Sequence, residues 1–323
     1  MANFDFSNLT PDCQLDALES VGIFPETGLL ALNSYENRVY QFQASDRVRY
    51  VVKFYRPQRW SDAQILEDHQ FSLELQEADI PVVAPLSFHG QTLLSWQDMR
   101  FALFPSVGGR QFEVDNLDQL AHVGQYLGRA HQIGAKYPFV ARPTISIDEF
   151  VTQPLGVLRT WLPENLQEAF FAIADQVSAQ IIAQYQPHTQ AIRLHGDCHP
   201  GNILWRDGPQ LVDLDDARMG PAIQDLWMLL NGDRAEQQIQ LETLLEGYDS
   251  FASLSVQELK FIEPLRAMRM IHYMGWLARR WQDGAFRRAF PWFNSQQYWQ
   301  NQILALKEQL SALYEPPLSL VLY

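Results

Sequence analysis

The sequence predicts an α+β protein in which a small sheet-bearing lobe precedes a larger, mostly helical one. Three observations lead there. Two runs rich in β-branched and aromatic residues, "RVYQFQAS" and "RVRYVVKFY", lie early in the chain. Helical periodicity dominates beyond residue 106. An Asp-Gly hairpin signal at Asp207-Gly208, flanked by strand-like runs, interrupts the helices.

Taken in order, the two early runs read as strands joined by the polar turn "ASDR". The stretch "WSDAQILEDHQFSLELQEAD" reads as a helix, because Ser61 with Gln64 three positions on forms a capping box and neither Gly nor Pro follows before Pro81. "TLLSW" and "RFALF" read as further strands, and "PSVGG" punctuates the boundary. The expected lobes are therefore 1–105 and 106–323. Beyond the boundary, Leu117, Leu120, Ala121, Gly124, Leu127 and His131 recur at helical spacing, and 164–184, 234–250 and 256–282 also read as helices. "IRL", "NILW" and "QLVDL" read as strands, the last two joined by the turn "RDGP".

Composition narrows the function. The 323 residues, 47% of them hydrophobic, supply a real core, and a net charge of −14 argues against nucleic acid or an anionic membrane as partner. Cys13 and Cys198 stand alone, far apart, which gives neither a disulfide framework nor a structural zinc site and fits a reducing cytoplasm. The first residues lack the pattern of a secretory signal, and no apolar run approaches a membrane span. A cytoplasmic monomer is expected.

The chemistry concentrates in "HGDCHPGNILWRDGPQLVDLDD", residues 195 to 216. A two-residue turn at Asp207-Gly208 would set Asn202 directly opposite Asp213 on one face of a strand pair. One amide oxygen and one carboxylate near a second acid, Asp197, form a set of hard oxygen donors of the kind Mg²⁺ prefers. Asp213 is expected to ligate the cation, Asn202 to ligate it without adding charge, and Asp197 to accept a proton. The plainer alternative, a polar turn with solvated acids, explains each piece but not their joint spacing.

"HGD", an Asn five positions after its Asp and a "VD" sixteen after it resemble the catalytic loop and metal-binding Asp of the kinase superfamily. The fuller text "HGDCHPGNIL … LVDLDDARMGPAIQDLW" is similar to the aminoglycoside-phosphotransferase-like branch, which includes choline and homoserine kinases. With "LNSYENRVYQF", "VVKFYRP", "FPSVGGRQFE" and "EPLRAMRMIHYMGWLARRW", nearly the whole chain resembles the bacterial stress response kinase A family of serine/threonine protein kinases. The resemblance implies a bilobal kinase-like fold, ATP with Mg²⁺, a protein Ser/Thr acceptor and a role in stress response. It implies Asp197 as base, Asn202 and Asp213 as metal ligands, and Lys53 as the lysine on the ATP phosphates. A lysine inside the apolar "VVKFY" needs an anionic partner on elementary grounds as well. That lysine normally pairs with a helix glutamate; Glu67 is favoured over Glu74, which shares its helix face. Ser34 and Asn37, in "NSYENR" where a Gly-rich loop is absent, are expected to bond phosphate oxygens. His195 is read as a hydrogen-bonding scaffold and Cys198 as inert packing. Asp225 is either an anchor of the catalytic loop or an ordinary helix cap.

The pattern departs from protein kinases after Asp213: "LDDARMG" replaces Phe-Gly, and twelve residues reach Asp225, too few for a long activation segment. A small-molecule kinase is therefore the alternative reading. Against a cationic acceptor stand Arg266, Arg269, Arg279, Arg280, Arg287 and Arg288 in the late basic-aromatic stretch.

Overall fold

The computed structural model describes residues 6–187 and 191–320. They divide into two compact units. One runs to Glu113 and also takes Phe139–Arg142 and His199–Ala217; the other comprises Val114–Pro138, Pro143–Cys198 and the chain from Arg218 onward.

The first unit is built on helix α1 (Pro11–Glu19), strands β1 (Leu30–Ala31), β2 (Arg38–Gln43) and β3 (Arg49–Phe54), helix α2 (Asp62–Glu77), and strands β4 (Leu94–Trp96), β5 (Met99–Pro105) and β6 (Arg110–Gln111). An antiparallel sheet of order β1-β2-β3-β5-β4 organises it. Alternation along β3 sorts its side chains. Val52 and Phe54 are fully buried with Phe42, Phe101 and Leu103 in the core on one face. Val51 and Lys53 turn to the other face, where Val39 pairs with Lys53 and Phe104 with Val51. The capping box read from the sequence starts α2: Ser61 Oγ accepts from Gln64 N at 3.3 Å and Gln64 Oε1 from Ser61 N at 2.9 Å.

The second unit contributes α3 (Leu117–Gly134), α4 (Gln153–Leu158), which continues a π-helical turn (Asp148–Thr152), α5 (Glu164–Gln184) and β7 (Ile192–Leu194). The first unit then adds β8 (Ile203–Trp205) and β9 (Pro209–Leu211), which join β6 in a sheet of order β6-β8-β9. The second resumes with β10 (Arg218–Gly220), α6 (Ile223–Trp227), α7 (Arg234–Tyr248), α8 (Ile262–Arg280), α9 (Gly284–Ala289) and α10 (Gln296–Tyr314). Helices α3 and α7 pack so closely that a Cβ on Gly124 would meet the Leu244 carbonyl oxygen at 2.1 Å. Glycine at 124 is what permits that approach.

β7 pairs antiparallel with β10. One expectation about the hairpin changes. The turn between β8 and β9 takes three residues, because Asp207 and Gly208 adopt φ of 59° and 152° and Trp205 pairs with Pro209. The register is therefore shifted by one: Val212, not Asp213, is tied to Asn202, its N–H donating to the Asn202 carbonyl at 3.0 Å. Asn202 and Asp213 are not direct cross-strand partners. In a continuing strand that slip would turn Asp213 to the wrong face. The strand ends at Leu211, however, and Asp213 sits in a left-handed conformation (φ 61°, ψ 60°) that resets the direction of its side chain.

Candidate active site

In the first unit a cavity of about 210 Å³ opens on the face of β3 that carries Val51 and Lys53. Ser34, Lys53, Asp68, Phe104 and Asp213 are among its lining residues. Lys53 Nζ donates to Asp213 Oδ1 at 2.6 Å and lies 3.9 Å from Asp215 Oδ1. Burial pushes the lysine toward its neutral form, but the charges of Asp213 and Asp215 outweigh it and hold the ammonium well above the usual lysine range. Asp213 is the solvent-facing member, its side chain 47% exposed against 6% for Asp215. Burial raises the Asp215 carboxyl, opposed by Lys53.

Asp215 is braced from behind. Asn37 donates from Nδ2 to Asp215 Oδ2 at 2.9 Å while its Oδ1 accepts the Arg56 N–H at 3.0 Å. The expectation that Asn37 turns to phosphate is thus not met: it is 3% exposed, does not line the cavity, and has its amide engaged by two buried partners. Ser34 does line the cavity. The loop between β1 and β2 is pinned instead by buried Arg56, whose guanidinium donates to the carbonyls of Glu36 (2.8 Å) and Tyr35 (3.2 Å).

Glu67 does not pair with Lys53. Its carboxylate accepts the backbone N–H groups of Val140 (2.7 Å), Ala141 (3.0 Å) and Arg142 (2.8 Å). Successive helix residues point about 100° apart, so with Glu67 turned to that backbone, Asp68, His69 and Ser72 face the cavity. Glu74 accepts from Gln70 at 3.3 Å. Glu67 thus acts at one remove: it fixes the backbone of Arg142, whose guanidinium donates to the carbonyls of Asp215 (2.7 Å) and Ala217 (2.9 Å). Arg142 also lies 3.5 Å from Asp68. Burial nevertheless raises the Asp68 carboxyl to about 7, with Asp215 adding to the shift against Arg142. The sequence reading missed Asp68, Arg142 and Arg56. The first was detectable as the second acid of "LEDH"; the other two carry no local signature.

In the second unit the loop after β7 hangs on Asp225. The Asp225 carboxylate accepts the His195 N–H (2.8 Å), the Gly196 N–H (2.8 Å) and a contact from His131 Nε2 at 3.1 Å, while His131 Nδ1 meets the Tyr248 hydroxyl at 2.9 Å. Burial opposes the charge on Asp225, but the bonds from His131 and the loop win and hold its carboxyl below the usual range. Asp225 is therefore a loop anchor, not a helix cap. Asp197, two residues past His195, is ion-paired through Oδ1 with Arg269 Nη1 on α8. Cys198 is fully buried, and burial, then the charges of Asp225 and Asp197, push its thiol well above the reactive range. A cavity of about 350 Å³ elsewhere in this unit is lined by residues such as Lys260, Glu263 and Pro316 and includes none of the expected site residues.

The donors fit a magnesium–nucleotide site by their chemistry. Asp213 presents a half-exposed carboxylate, Asn202 an amide on the hairpin, and no group of three or more His, Cys, Asp or Glu suited to a metal occurs among the described residues. Mg²⁺ commonly takes one or two protein oxygens and completes its shell from phosphates and water, so a two-residue set is sufficient.

Residues 28–259 match the Phosphotransferase enzyme family. The chain is 55% identical over 319 residues to Stress response kinase A of Escherichia coli K12, covering 98% of this chain and 97% of that protein. It is 54% identical to the Serine/threonine protein kinase RdoA of Salmonella typhimurium over the same shares. Among solved structures, an amicoumacin kinase in complex with AMP-PNP, Ca²⁺ and amicoumacin superposes with a TM-score of 0.73 at 19% identity, covering 95% of this chain and 94% of that one. A microcompartment-associated aminopropanol kinase gives 0.70 at 15% identity, with 94% and 96% covered. The α+β fold, a sheet-bearing N-terminal part followed by a helical C-terminal part, is that of these kinases. The chain belongs to the phosphotransferase enzyme family and, within it, to the group of the stress response kinases A.

Proposed function

We propose that the protein transfers the γ-phosphoryl group of ATP, in the presence of Mg²⁺, to serine or threonine hydroxyls of a polypeptide, and that it acts in a bacterial stress response. The Lys53–Asp213 pair in the wall of the cavity carries the phosphotransfer half of this reading. The acceptor half is supported by the 54% identical relative named a serine/threonine protein kinase.

In this mechanism Lys53 neutralises phosphate charge, Ser34 bonds a phosphate oxygen, and Asp213 with Asn202 holds the cation. Bound there, Mg²⁺ would offset charge on the phosphate oxygens. Asp197 accepts the proton of the acceptor hydroxyl as its oxygen forms a bond to the γ-phosphorus. The bond from that phosphorus to the β-phosphate oxygen breaks and ADP leaves with the electron pair. Asp225 holds the backbone of His195 and Gly196 so that Asp197 is presented in one position. Residues 1–105 supply nucleotide contacts and 106–323 catalysis and acceptor choice, the cation-binding hairpin packing with the former. The reading includes a cytoplasmic monomer whose acceptor is its own chain or another protein.

A second reading, a small-molecule kinase, is favoured by the short path from Asp213 to Asp225, which carries only a 3₁₀ turn, β10 and the start of α6. Incubation with γ-labelled ATP and Mg²⁺ against a general protein substrate and, in parallel, choline, homoserine and an aminoglycoside separates the two. Label in phosphoserine or phosphothreonine is expected. Label confined to a small alcohol overturns the protein-kinase reading.

A further inference from the structure

Helix α8 carries a row of outward residues, Arg266, Arg269, Met270 and Tyr273, at helical spacing. Arg266 is committed: its Nε donates to Glu263 at 3.2 Å, its Nη2 to Gln237 at 3.2 Å, and its guanidinium covers the Trp227 ring. Arg280, a few turns on, is 4% exposed and donates to the Trp276 carbonyl. Arg269 differs. Its side chain is 39% exposed, and Nη1 alone is engaged, on Asp197 Oδ1. Its Nε and Nη2 have no acceptor among the described residues and are not buried. A guanidinium in that state is one half of a fork whose other edge is open to a second carboxylate. One turn along the helix, Tyr273 is 41% exposed and stacks on Trp276, centroids 5.6 Å apart and planes 19° from parallel. An open guanidinium followed by a flat aromatic surface is a common way to hold a peptide by an acidic side chain and its neighbour.

We propose that Arg269 selects the acceptor by binding, through its open edge, a carboxylate that lies next to the hydroxyl to be phosphorylated. This deepens the function proposed above and rests on its assignment of Asp197 as the base. Because one guanidinium holds both the base and the incoming carboxylate, an acidic acceptor arrives with its hydroxyl beside Asp197, whereas a cationic acceptor meets a like charge there. In a chain of net charge −14, such local compensation is what an anionic acceptor requires.

The test compares initial rates on three Ser-containing peptides of equal length, with Glu, Ala or Lys flanking the Ser, for the wild type, Arg269→Gln, Arg269→Lys and Arg269→Glu. A hydroxy acid and an uncharged alcohol of similar size are run beside them. The wild type is expected to favour the Glu peptide over the Ala peptide by about tenfold or more in kcat/KM, and the Lys peptide least. Arg269→Gln should bring the Glu/Ala ratio near unity, Arg269→Lys should keep part of it, and Arg269→Glu should reverse the order. Ratios are read within each variant, so a partly unfolded preparation lowers all rates without creating or erasing the preference. A wild type indifferent to the flanking charge, or an Arg269→Gln that keeps the full preference, overturns the proposal. If no peptide is labelled, the protein-kinase reading fails, and the ratio of hydroxy acid to uncharged alcohol decides the role of Arg269 in the same way.

Discussion

Replacing Asp225 by Asn changes one oxygen to an amide group in a site with three donors and no spare acceptor. If the Asn oxygen takes the place of Oδ2, it keeps the His195 N–H (2.8 Å) and His131 (3.1 Å), but its NH₂ then faces the Gly196 N–H that Oδ1 accepted at 2.8 Å. The opposite rotamer loses two partners. The smaller loss is one charge-assisted bond plus one buried donor left unpaired, together roughly 3–5 kcal/mol. The carboxyl is held below its ordinary range, so the wild-type contribution is present above the unfolded value of 3.8 and is lost as pH falls through the folded one. The variant lacks that dependence. Urea unfolding followed by tryptophan fluorescence at pH 7 should show the lower midpoint. Turnover should fall as the loop carrying Asp197 loosens, while nucleotide affinity, which the proposed function assigns to Ser34, Lys53 and Asp213 in the other unit, should change less than about threefold, since none of those contacts is touched. A variant with wild-type midpoint and turnover would refute the anchoring role.

Three further outcomes are expected. Lys53→Met leaves Asp213 and Asp215 without their shared cation and should lower kcat/KM for ATP by at least about 10²-fold, measured by coupled ADP release. Glu67→Gln weakens the bonds to Val140, Ala141 and Arg142 and should lower the unfolding free energy from urea titration by about 2 kcal/mol while affecting ATP kinetics far less than Lys53→Met, because Glu67 does not touch the lysine. Asp68, with its carboxyl raised to about 7 against 3.8 unfolded, retains its proton in the folded chain where the unfolded chain has lost it. Its contribution is full below about pH 4 and falls as pH rises through 7, by something on the order of 4 kcal/mol. Across that window the wild-type urea midpoint should drop relative to that of Asp68→Asn, and parallel midpoints would contradict the raised value.

What the sequence disclosed was local. A run rich in β-branched and aromatic residues placed Lys53 on a strand, and Ser61 with Gln64 marked the start of α2, since each signal lies within a few residues of what it specifies. The motif spacing singled out Asp197, Asn202 and Asp213 with no structure at all. Register was not local enough: a turn of two or three residues depends on the backbone angles of Asp207 and Gly208, which both lengths allow. The choice among Glu67, Asp68 and Glu74 required knowing how α2 is rotated against its surroundings, a tertiary fact. Asn37 read as a phosphate contact because nothing near it in sequence reveals Asp215, 178 positions away, or the buried Arg56. The Asp197–Arg269 pair likewise spans 72 positions, so the late arginines could be counted but not assigned.

The most direct test of the central claim is phosphoryl transfer by Asp197→Asn set against its binding of Mg-ATP. The base assignment predicts transfer to the acceptor reduced by at least about 10²-fold, with nucleotide affinity within about threefold of the wild type, the usual scale for losing a general base without disturbing the phosphate contacts. Transfer at near wild-type rate by this variant would contradict the account.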